Sequence, residues 1–79
     1  MFTVTIRRAA ENTRAYFLPN QPRYLSHEGS ARHRSPKRAY QLALQRLVQA
    51  EDKNGGVGPT VQWYHTVHRN GVLIGRKII

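Results

Sequence analysis

The chain has no cysteine, so neither a disulfide framework nor a thiolate metal site can hold it together, and the fold must rest on packing alone. Acidic residues are nearly as scarce, with four Asp and Glu against 13 Lys and Arg and a formal net charge of +9. So few carboxylates leave little material for a magnesium site or for a matched acid and base. Long apolar runs are missing too. Uncharged stretches of this kind, such as Val72-Leu73-Ile74, fall far short of the roughly 20 residues of a membrane-spanning helix. The alternating start Met1-Phe2-Thr3-Val4-Thr5-Ile6 also differs from the apolar centre of a secretory signal. The expectation is a cytoplasmic protein with no membrane partner. At 79 residues, one domain with a single modest core is the ceiling, and a deep substrate cavity is not expected.

What is present is patterned. Phe2, Val4 and Ile6 alternate with Thr3, Thr5 and Arg7, the two-residue period of a half-buried strand. The aromatic segment Arg14-Ala15-Tyr16-Phe17-Leu18 reads as a second strand ended by Pro19 and Pro22. A third, short one is expected at 23–27, after which Gly29 and Ser30 interrupt the run and leave the stretch to Arg34 as strand or loop. Ser35 as N-cap and Pro36 in the first turn open a helix expected over 36–52, closed by Asn54-Gly55-Gly56. On its wheel Tyr40, Ala43, Leu44 and Leu47, with Val48 at the margin, form the apolar stripe, opposite Arg38, Gln41, Gln45 and Gln49.

Asn70-Gly71 marks a two-residue hairpin turn. Counting outward from it pairs Arg69 with Val72, Val67 with Ile74, His65 with Arg76 and Trp63 with Ile78. Val61, Trp63, Val67, Ile74 and Ile78 then face the core, and Gln62, Tyr64, Thr66, His68, Leu73 and Lys77 face away. The expected fold class is α+β: a small antiparallel sheet in the order β-β-(β)-α-β-β, with one helix on one face and a C-terminal hairpin.

The charge has a focus. Arg32, Arg34, Lys37 and Arg38 surround the helix start, where the unpaired amides already supply positive potential and added cations are unfavourable. An oxyanion placed there would reverse the sign, because free amides and Arg forks together describe a phosphate or carboxylate site. Ten of the 13 basic residues are Arg, whose planar fork grips phosphate and stacks on bases. Tyr64, on the outward side of the hairpin beside Lys77 and His68, is the aromatic best placed to join such a surface, whereas Trp63 belongs to the core. The solvated-face alternative for the polar helix side, Arg38 with Gln41, Gln45 and Gln49, outweighs base reading there.

No enzyme chemistry emerges. His65 and His68 are three residues apart on a strand and point to opposite faces, and His27 and His33 have only Glu28 nearby as a third ligand. Gly55-Gly56-Val57-Gly58 follows a helix and lacks the Lys-Ser/Thr ending of a phosphate loop. No cofactor or metal is expected.

From Phe2 to Asp52, the order of strands followed by one covering helix resembles the arm-binding domains of phage tyrosine integrases. The whole order, ending in the Asn70-Gly71 hairpin, is similar to that of small phage-encoded host antagonists such as anti-CRISPR proteins. These resemblances imply a nucleic-acid partner, DNA or RNA, or an acidic protein or ribonucleoprotein surface. The first expectation is a non-catalytic nucleic-acid-binding protein contacting phosphates through Arg32, Arg34, Lys37, Arg38, Tyr64, His68 and Lys77. The second is a phage- or plasmid-encoded inhibitor of a host system, and a small ribonuclease-type toxin ranks last. Exposed strand edges also admit a homodimer.

Overall fold

The computed structural model describes the backbone of residues 1–78 and the side chains of residues 1–76. Strand β1 spans Phe2–Glu11, β2 Tyr24–His33, helix α1 Pro36–Lys53, β3 Thr60–Arg69 and β4 Val72–Ile78. The strands form one sheet in the order β2-β1-β3-β4, every neighbour antiparallel. The α+β architecture with one covering helix is therefore as the residue pattern implies, and α1 lies over β2 and β1.

The alternation in β1 sets the layers. Val4 and Ile6 are fully buried on the helix side, while Thr3 and Thr5 stand on the other face. Opposite Ile6 sits Gly29, where a Cβ would lie 2.2 Å from the Ala43 carbonyl oxygen and 2.4 Å from the Leu47 nitrogen. The helix thus rests directly on the β2 backbone, and this close approach decides which stripe it buries. Ala39, Ala43, Leu47 and Glu51 are the buried positions. The larger Tyr40 and Leu44 flank them, packed at the margin of the core with Trp63 and Val67 of β3. Val48 remains exposed.

One charged pair crosses this interface. Arg8 Nε donates to Glu51 Oε2 at 2.7 Å, and its Nη2 donates to Oε1 of the same carboxylate. The Arg8 guanidinium also lies 4.8 Å from the Trp63 ring centroid. Glu51 is only 3% exposed, and the bidentate cation that meets it offsets the cost of burying the pair. The same bond holds Arg8 above its ordinary pKa against the cost of burial. Arg8 serves the fold and is not a surface cation.

The helix ends follow the expected signals. Ser35 Oγ accepts from Arg38 N, Pro36 occupies the first turn, and Gly55 and Gly56 take positive φ after Asn54. Asn70 and Gly71 likewise adopt the positive φ of a two-residue hairpin turn.

Three expectations are corrected. Residues 14–18 are not a strand: Thr13–Tyr16 forms a single 3-10 turn, and Phe17 and Leu18 are exposed. Both sides of β1 are already taken by β2 and β3, and Asn12 folds the connection back, its Oδ1 accepting from Arg14 N and its Nδ2 donating to Pro22 O. Only two strands therefore precede the helix, and the doubtful stretch to Arg34 is largely the regular strand β2. The third correction concerns the hairpin register. Val67 pairs with Gly75 and His68 with Leu73, so Ile74 is an extra, bulged residue. A second shift places Ala9 against Gln62 and Ala10 against Thr60, which makes Val61 the bulge in β3. Val61 and Ile74, assigned to the core by strict alternation, are 60% and 55% exposed. The side chain of Ile78, expected in the core, lies outside the described residues.

Candidate functional site

With the helix on one side, the other face of the sheet is uncovered, and the pairing register fixes what it displays. Across β2, β1, β3 and β4 one row reads Arg32, Thr3, His68, Leu73, and the next reads Ser30, Thr5, Thr66, Arg76. A third row carries Glu28, Arg7 and Tyr64. Neighbouring side chains within a row stand about 5 Å apart at the backbone. Most of the face is therefore a lattice of hydroxyls and cations. Thr5 and Ser30 hydroxyls share a hydrogen bond of 3.1 Å. Arg7 Nη2 donates to Glu28 Oε2 at 2.8 Å. Glu28 foremost, with help from Tyr64, raises the Arg7 pKa above its ordinary value. The Arg76 guanidinium lies 5.5 Å from the centroid of the Tyr64 ring.

Arg32, Tyr64 and His68 thus come together on one face. Arg34, Lys37 and Arg38 do not share that face. They are exposed at the start of α1, in the helix layer, beyond the same end of the sheet. The first helical turn contains no acidic residue, and Arg38 Nη1 reaches only the Gln41 Oε1 at 3.4 Å. The rest of this end is also basic. Arg69 lies over the Phe2 ring at 5.7 Å, and the Met1 ammonium donates to Asn70 Oδ1 at 3.1 Å. Among the described residues, the ion pairs join Arg7 to Glu28 and Arg8 to Glu51, both away from this end. Within the described residues, the cations around the helix start are consequently unpaired with carboxylates and gathered at one pole.

Lys77 departs from the expected arrangement. The bulge at Ile74 moves the pairing by one residue, so Lys77 stands opposite His65 and Ile78 opposite Tyr64. The side chain of Lys77 lies outside the described residues. The same shift removes Arg76 from the position opposite His65 and sets it against Thr66, on the open face. His65 instead packs edge-on against Tyr40, with ring centroids 5.3 Å apart. His65 and His68 do fall on opposite faces, and no three His, Asp or Glu gather around a common point among the described residues.

Two contributors were not singled out from sequence. Arg7 was legible, since it continues the Thr3-Thr5 alternation. Arg76 was not, because its placement depends on a bulge whose only sequence trace is the neighbouring Gly75. The far end of the open face carries a further feature, a cleft of about 350 Å³ lined by Glu11, Asn12, Ala15, Tyr16, Arg23 and Tyr24.

Comparison with protein-family models, curated proteins and solved structures finds no match for this chain.

Proposed function

We propose that the protein is a non-catalytic nucleic-acid-binding module that grips the phosphate backbone with the basic pole and lays the adjoining strand along the open sheet face. The observation that carries this reading is the gathering of Arg32, Arg34, Lys37 and Arg38 at one end with, among the described residues, no carboxylate paired to them. Uncompensated cations at a helix start lower stability unless an anion arrives, and a polyphosphate supplies many anions at regular spacing. Tyr64 and His68 add ring faces for base stacking, and Arg76 adds a further planar cation. Four strands span about 14 Å before side chains are added, wider than the roughly 12 Å major groove, so the whole face fits an unpaired strand better than a duplex groove.

The test is binding of labelled single-stranded and duplex oligonucleotides, followed by fluorescence anisotropy near physiological salt. Replacing Arg34 and Lys37 together with Glu should weaken binding at least about tenfold. Affinity equal to that of the parent protein would remove the pole from the interface. A second reading, an inhibitor that docks on an acidic protein or ribonucleoprotein, is favoured by Phe17 and Leu18, which are 84% and 52% exposed at the opposite end. A lysate pull-down with and without nuclease separates the two: a partner retained after nuclease favours the inhibitor.

A further inference from the structure

The cleft at the far end of the open face sets a carboxylate beside two tyrosines. Glu11 stands on the open side of β1, directly across from Tyr24 of β2. The Tyr16 hydroxyl donates to Glu11 Oε2, which draws the end of the 3-10 turn over the same row. That bond, with Tyr24 nearby, raises the Tyr16 pKa, so the phenol stays a neutral donor. Tyr16 and Tyr24 are 66% and 56% exposed, with ring surface available to a ligand. Arg23 is exposed at the rim.

The walls are held from behind. Glu11 N donates to Pro59 O at 3.0 Å, Gly58 N donates to Glu11 O at 2.8 Å, and Asn12 N donates to Arg23 O at 2.8 Å. The backbone that carries Glu11 is thus held in place, and the loop beyond is tied by the buried Asn12. Glu28 and Glu51 each neutralise an Arg, whereas Glu11 is engaged by a neutral hydroxyl. A carboxylate has about four acceptor sites, so this one retains acceptor capacity facing an aromatic cleft.

We propose that this cleft binds one unpaired nucleobase, and guanine in particular. The size, about 350 Å³, lies at the small end of the ligand-pocket range of roughly 300–1,000 Å³. Two tyrosines supply stacking surface, which every base can use. The acceptor-only carboxylate supplies the selection, because guanine presents two adjacent N–H donors on its pairing edge, while thymine and uracil present one between two carbonyls. Arg23 at the rim suits the attached phosphate. The proposal rests on the nucleic-acid reading for a base borne on a strand, but the same chemistry would take a free guanosine nucleotide.

The experiment compares a thymidine oligomer of about twelve nucleotides with the same oligomer carrying one central dG or one deoxyinosine, alongside guanosine monophosphate followed by tyrosine fluorescence. The dG oligomer should bind about tenfold more tightly than the all-dT oligomer, and inosine, lacking the exocyclic amine, should recover only part of that gain. Glu11→Gln should bring the dG-to-dT ratio close to one, and Tyr24→Ala, at an exposed position, should lower it without loss of the far-ultraviolet circular dichroism of the fold. Saturable, Glu11-dependent binding of the mononucleotide without oligomer preference would assign the cleft to a free nucleotide. A dG-to-dT ratio of one in the parent protein, with no mononucleotide binding, overturns the proposal. The all-dT affinity reports separately on the phosphate-binding pole, so failure of the cleft and failure of the pole are distinguishable.

Discussion

At the scale of single residues, the most consequential position is a missing side chain. Gly29 allows the Ala43 carbonyl and the Leu47 nitrogen to approach β2 closely, and any Cβ there would meet backbone, which cannot rotate aside. Gly29→Ala should therefore cost about 3 kcal/mol by forcing α1 off the sheet, a large share of the stability of so small a domain. The comparison is Gly75→Ala, where nothing lies within 4 Å of the added methyl. That variant should stay within about 1 kcal/mol of the parent. Urea unfolding midpoints for the two variants check both values, and equal midpoints would contradict the packing described. From sequence, Gly29 looked like an interruption of a strand, because a glycine's effect depends on what crosses above it, and that neighbour lies fourteen to eighteen positions further along the chain.

At the scale of elements, the parts legible in the sequence are those whose signals are local. Ser35-Pro36 and Asn54-Gly55-Gly56 bound the helix because capping and positive φ are properties of a few adjacent residues. Asn70-Gly71 marks the hairpin for the same reason. Residues 14–18 misled because β-propensity measures fitness for a half-buried pleated surface, and with β1 paired on both sides the sheet had no place for them. The bulges at Val61 and Ile74 were illegible for a related reason: alternation says which face a residue prefers, not where the ladder skips. Of the expected residues, Tyr64 and His68 stand on the outward side of the hairpin as the alternation implies, Arg32, read as part of the helix-start cluster, lies instead on that same open face of β2, and the bulge shifts the pairing of Lys77 by one residue. The start of α1 offers its own prediction. Arg38 is the third helical residue after the Ser35 cap, where Glu would complete a reciprocal capping box and meet the helix dipole favourably. Arg38→Glu should raise stability by about 0.5–1 kcal/mol while weakening oligonucleotide binding. Thermal unfolding and anisotropy on one sample measure both, and a variant less stable than the parent would show that the cations there do not strain the helix.

Over the whole molecule, charge is distributed along an elongated body of 44 × 20 × 16 Å. One pole holds Arg32, Arg34, Lys37, Arg38 and Arg69, while toward the other Glu11, Glu51 and Asp52 are interspersed with Arg14, Arg23 and Lys53. From Arg32 to the base cleft at Tyr24 is eight residues of β2, or about 26 Å, so the two features of the open face address different parts of one strand. A polarised body predicts a definite salt response. If Arg32, Arg34, Lys37 and Arg38 each displace one counterion from a single strand, the logarithm of affinity should fall with the logarithm of salt at a slope of about −3. Neutralising any one of the four to Gln should lessen that slope by about one unit of contact, and the effect should be alike for every oligonucleotide sequence. Arg14, whose guanidinium lies beside Gly55 near the other end of the molecule, provides the comparison, and Arg14→Gln should leave the slope where it was. Equal changes at Arg14 and at the pole would mean that net charge alone attracts the polyanion, and the arrangement of the cations would have no part in binding.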